Sequence, residues 1–187
     1  METDRPKGDE MKVLSALAVL ASLIAGPAFA DDAPASLPAQ VKALEGCWRG
    51  EGEVMGKPVT LILSAKPVAL GAMVVIETES QAKADPADRY AAHLLLGGRT
   101  AKADNPATIS GFWADSFGGD YTATGQGSPR EHGFEIAYAY PDASFVNRWT
   151  VMGDQLEWRI VAQAGARPEK PFARYALTRA ACPKTAG

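Results

Sequence analysis

The stretch Leu44–Val54 reads LEGCWRGEGEV. Gly46, Trp48, Gly50 and Gly52 recur at every second position, with Cys47, Arg49 and Glu51 between them. Successive side chains of a strand point to opposite faces, so this spacing puts the tryptophan and the three glycines on one face. Glycine weakens a strand, and a run of glycines beside one tryptophan therefore needs a reason. A tryptophan on the inner face of a small barrel plugs its closed end and buries a large apolar area. The glycines beyond it then either let the strand coil sharply or leave room beneath. The competing reading is a weak, flexible edge strand in which glycine marks only a bulge.

Period two continues toward the C-terminus. PVTLILSA, GAMVVIETES, RYAAHLLLGG, ATISGFWADS, DYTATGQG, GFEIAYAY, SFVNRWTVMG, QLEWRIVAQ and FARYALTRA each read as a strand. Between them stand the turn signals MGKP, KADPAD, KADNP, FGGD, GSPREHG, YPDA, MGDQ and GARPEKP. With the opening strand this makes about ten strands over residues 44–182, an all-β barrel or sandwich, with 183–187 as a tail. In the lead-in 31–43, DDAPASLPAQ has no apolar periodicity, while VKALEG fits the close of a short helix with Gly46 as its C-terminal glycine.

Ahead of the lead-in, MKVLSALAVLASLIAGPAFA combines Lys12, an apolar run from Val13 to Ile24 and small residues at Ala28 and Ala30. That three-part pattern is a signal peptide, and the run is short for a membrane span. The polar METDRPKGDE before it makes Met11 the expected start, with residues 1–30 as leader and a mature chain beginning at Asp31. No lipobox cysteine follows, so an exported protein, periplasmic or secreted and without a stable membrane anchor, is expected. A net charge of −3 with no basic block argues against nucleic acid, whose phosphates demand clustered Lys and Arg. Cys47 and Cys182 are the only cysteines. In an exported chain an even count favours a bridge, and no histidine stands at zinc-ligand spacing beside them. A loop of this span makes the bridge worth about 5 kcal/mol in the chain-entropy model.

Alternation also sorts faces. Leu156, Trp158 and Ile160 face one way, as do Phe134, Ile136, Tyr138 and Tyr140. Phe145, Trp149 and Val151 carry the polar Asn147 with them. GAMVVIETE and AAHLLLG are apolar on both faces and leave inside and outside open. Candidate chemistry is sparse. His132 lies in a turn; His93, mid-strand, reads as a pocket residue or a hydrogen-bonded structural one. Glu77 and Glu79 share a face at the end of a strand and read as solvated. Asp115 follows two aromatics near an expected barrel mouth, or caps the turn before the glycines. An enzyme built on Asp115 and Arg148 lacks a coupled nucleophile and base, and no hydrolase elbow, zincin helix or phosphate loop is present. What remains is an aromatic set with polar members: Trp113, Tyr138, Trp149 and Trp158, with Asn147, Arg148, Asp115 and His93. Such a lining suits a small hydrophobic or amphipathic ligand held in a barrel, without catalysis and without a metal or cofactor. The alternative is a filled core whose barrel acts through protein contacts.

LEGCWRGEGEV resembles the first strand of calycin-type barrels, the superfamily of lipocalins, fatty-acid-binding proteins and nitrobindins. Its W-x-G-x-G spacing is nearest to nitrobindins and to an uncharacterised bacterial lipocalin-like family. ISGFWADSFGGDYTATGQG is similar to that family's mid-barrel strand. The resemblance implies an antiparallel up-and-down barrel of about ten strands whose first and last strands meet, which would bring Cys47 and Cys182 to the closing edge. Nitrobindins hold haem through a histidine on the last strand. The comparable segment here is EKPFARYAL, with Phe172 or its neighbours where the ligand belongs, and no histidine follows His132.

Overall fold

The computed structural model describes residues 35–102 and 104–183; the expected leader, Met11, the start at Asp31 and the last four residues lie outside these. Ten strands follow in order: β1 (Gly46–Val54), β2 (Lys57–Val68), β3 (Met73–Ala82), β4 (Arg89–Arg99), β5 (Thr108–Asp115), β6 (Ala123–Arg130), β7 (Gly133–Ala139), β8 (Ser144–Met152), β9 (Gln155–Gln163) and β10 (Lys170–Ala180). Each pairs antiparallel with its sequence neighbours, and β1 pairs with β10, so the sheet closes into an up-and-down barrel. Closure leaves no strand edge unpaired along the seam.

The two strands that were apolar on both faces are settled by burial. Val74, Ile76, Thr78 and Ser80 of β3 and Ala92, Leu94 and Leu96 of β4 point inward. The inward Thr78 satisfies its hydroxyl by donating to the Ile62 carbonyl at 3.1 Å.

One end of the barrel is packed shut. Helix α1 (Ala39–Lys42) lies over it with Val41 and Leu44 fully buried. Trp48 is also buried there, its indole N–H donating to the Leu44 carbonyl at 2.8 Å. The Arg179 guanidinium sits 4.1 Å from the centre of the Trp48 ring and donates to the Glu45 carbonyl at 2.8 Å. First strand, last strand and lead-in are thus clamped through one tryptophan, the plug expected from the opening stretch. Gly46 does not cap the helix: α1 ends at Lys42 with Ala43 as its cap, and Gly46 begins β1.

The glycines beyond Trp48 serve coiling, not empty space. A Cβ at Gly50 would come within 2.8 Å of Leu177 Cα and closer still to the Ala176 carbonyl oxygen, both on β10. At Gly52 the Tyr175 ring and the Arg174 carbonyl occupy the same place. Two backbones therefore approach at the seam more closely than any side chain permits. Cys47 and Cys182 form a disulfide with Cα atoms 5.1 Å apart, tying β1 to the chain just beyond β10 across a sequence separation of 135.

The strands depart from the expected boundaries most at β6, while β2 also runs on through Lys66, Pro67 and Val68 and β10 begins at Lys170, inside the expected turn. DYTATGQG does not begin as a strand, because Gly119–Tyr121 forms a single 3-10 turn. Instead β6 runs on through Ser128, Pro129 and Arg130, which the turn reading of GSPREHG had excluded. Its ladder with β5 ends at Ile109–Gly127, so Pro129 pairs with β7 alone, and a proline is tolerated where one side of the strand needs no partner.

Candidate ligand cavity

Packing fills only half of the barrel. Next to the base, Trp149 stacks on Phe134 (5.9 Å between centroids) and on Trp158 (4.2 Å, planes 13° apart). Above Trp158 the interior opens into a cavity of about 900 Å³ that reaches the opposite end of the barrel. Trp158, Trp113, Tyr138, Tyr175 and Ile160 line its depth, with Ser80 and Asn147 as inward polar groups. Phe145, Phe172, Tyr140 and Tyr90 form a middle ring. The mouth is made by the β1–β2, β5–β6 and β7–β8 turns, where Met55, Phe117 and Tyr121 are exposed although apolar or aromatic.

Each polar group in the cavity has a definite environment. Trp158 donates its indole N–H to Asn147 Oδ1 at 2.9 Å, fixing the amide, whose Nδ2 donates to the Phe145 carbonyl at 3.3 Å. Asp115 Oδ2 accepts from Tyr90 Oη at 3.0 Å and from Trp113 Nε1 at 2.9 Å, while Oδ1 accepts the Phe117 backbone N–H at 2.9 Å. Asp115 thus lines the cavity and caps the turn at once, and both of its sequence readings apply. Tyr138 differs. It lies flat against the β5–β6 track, where a Cβ at Gly125 would meet its ring at 2.7 Å and one at Gly111 its hydroxyl at 2.6 Å. That hydroxyl is buried against Gly111 and has no hydrogen-bond partner among the described residues. A buried hydroxyl left so costs about 1–3 kcal/mol.

Burial pushes the phenols of Tyr90, Tyr138 and Tyr175 well above the usual tyrosine value, with Asp115 adding to the effect at Tyr90. The cavity therefore presents neutral hydroxyls at any physiological pH.

Of the residues expected to line the interior, Trp113, Asp115, Tyr138, Asn147 and Trp158 are brought together. Trp149 is buried but lies beneath Trp158, outside the cavity. Arg148 and His93 require correction. Arg148 alternates with Asn147 and Trp149 and so points outward, bonded to Glu135 at 2.8 Å and through both terminal nitrogens to Glu169. The arginine holds the Glu169 carboxyl below its ordinary value. His93 lies exposed on the outer face of β4, opposite Glu77 of β3. Glu77 and Glu79 are exposed as well, paired with Lys66 and Arg89.

Tyr90, Tyr175 and Ser80 line the cavity without having been singled out, and Phe172, named only for the place of a haem ligand, lines it too. Tyr175 was legible, since Ala173, Tyr175 and Leu177 alternate cleanly. Phe172 was not: a bulge between Pro171 and Ala173 turns it inward, against Phe145 at 4.9 Å. Of the two histidines, His93 faces out and His132 lies exposed in the β6–β7 turn at the opposite end, so neither reaches the cavity. The residues do not fit histidine ligation of haem.

No family model and no curated protein sequence matches the chain. Among solved structures it is similar to the crystal structure of Rv2717c from M. tuberculosis, with a TM-score of 0.53 and 14% identity over 78% of this chain and 99% of that one. At that identity the likeness is one of fold: a second protein shares this barrel, and its full length is spanned by it.

Proposed function

We propose that this protein is an exported, lipocalin-like barrel that holds one small hydrophobic or amphipathic molecule in its open half. The observation that carries the reading is the aromatic cavity of about 900 Å³, walled by Trp113, Trp158 and tyrosine rings with Ser80 and Asn147 as its inward polar groups. Binding sites of this kind are concave, mostly apolar and furnished with a few placed polar groups. A barrel meant only to be stable would fill that space, because unfilled interior forfeits contacts. The role is binding without chemistry: the Asp115 carboxylate is already occupied by three protein donors. Export is supported by the disulfide and by the leader pattern.

The test is a titration with Nile red, an uncharged dye that brightens and shifts to the blue in apolar surroundings. One saturable site per chain is expected. Emission that rises without saturation, as from a loose surface patch, would refute the reading. A second reading, docking of a protein partner, is favoured by the exposed Met55, Phe117 and Tyr121 around the mouth. It is distinguished by replacing these three with serine: docking is lost while dye binding in the depth persists.

A further inference from the structure

Four carboxylates line the cavity and its mouth: Asp88, Asp115, Asp120 and Asp142. The one cationic side chain in the lining is Lys57, and its ammonium is bound to Asp88 at 3.1 Å. Three carboxylates are left without a cation among the lining residues. The walls below them are aromatic faces, which carry negative potential of their own. The indole donors of Trp113 and Trp158 are already committed to Asp115 and Asn147. An anionic head group would thus find no free cationic donor and would sit among like charges. Resting on the cavity reading above, we infer that the ligand is an aromatic or conjugated amphipath with a cationic head group, its ring body among the tryptophans and tyrosines and its positive charge at the mouth beside Asp120 and Asp142.

Two probes of one shape decide the charge: a naphthalene bearing a trimethylammonium group and the same naphthalene bearing a sulfonate. Each is used to displace Nile red from the full mature chain at low salt and neutral pH. The cation is expected to displace the dye at about tenfold lower concentration than the anion, since the mouth carboxylates attract the one head group and repel the other. High salt should narrow the gap. Asp120 and Asp142 are exposed and make no side-chain hydrogen bond among the described residues, so Asp120→Lys with Asp142→Lys should leave the fold intact and reverse the preference. Equal or tighter displacement by the sulfonate on the parent protein overturns the inference while leaving the cavity reading standing. If Nile red itself shows no saturable site, both fall together.

Discussion

Tyr138 and Gly50 carry the account at the scale of single residues, and substitutions there should move stability in opposite directions. Tyr138→Phe removes an unsatisfied buried hydroxyl and keeps the ring seated on Gly125 and Gly111. The ligand-free variant should match its parent or exceed it by up to about 1 kcal/mol in a denaturant melt, whereas loss of a satisfied hydrogen bond would lower it. Gly50→Val drives a side chain into the backbone of β10 and should cost about 1–3 kcal/mol or more, although valine is the better strand former. A Gly50→Val protein more stable than its parent would show β1 to be a weak edge and the coiling argument to be mistaken. Part of this was legible beforehand. Alternation placed Trp158, Tyr138 and Asn147 inside. Arg148, counted among the polar members of the lining, lies between Asn147 and Trp149 in the chain and so falls on the opposite face. His93 sits in a strand apolar on both faces, where period two decides nothing.

Among the elements, the seam between β1 and β10 joins the ends of the chain, and three devices hold it: the glycine approach, the Trp48–Arg179 clamp and the disulfide. The bridge lies beyond the last strand pair, Cys47–Ala180, so its removal leaves the ladder in place and acts mainly by freeing the unfolded chain. Cys47→Ala with Cys182→Ala should therefore retain the barrel's circular dichroism and lose stability, up to about 5 kcal/mol in the chain-entropy limit. Intact mass after alkylation without reductant should show no free thiol in the parent; two alkylated cysteines would contradict the bridge. Nine of the ten strands were visible near their bounds, as alternating runs or, in β3 and β4, as runs apolar on both faces. The exception, β6, shows what a sequence conceals. Pro129 reads as a breaker unless it is known that β5 has already ended beside it, and that is a matter of register between strands. Register also hid Tyr90, which reaches Asp115 only because β4 and β5 align Ala92 with Asp115.

For the whole molecule, what matters is that one half of the barrel is solid and the other hollow. The solid half follows from the opening stretch, since a tryptophan plug, a covering helix and stacked Phe134, Trp149 and Trp158 leave no room beneath the floor. Hollowness could not be read from the sequence, because the same aromatic residues can fill a core or line a space; only their separation across the barrel distinguishes the two. The shared architecture with Rv2717c supports the barrel and leaves the occupant to this chain's own side chains. Most direct is a single measurement on Ser80→Trp, which projects an indole from the β3 wall into the open half. Nile red affinity should fall at least about tenfold, equivalent to about 1.4 kcal/mol, while the denaturant midpoint stays at or above that of the parent because the new ring enters existing space. Unchanged dye affinity would put the binding elsewhere. A lower midpoint, equivalent to a loss of about 1–3 kcal/mol of stability as when a full core is overpacked, would mean that the cavity is not there.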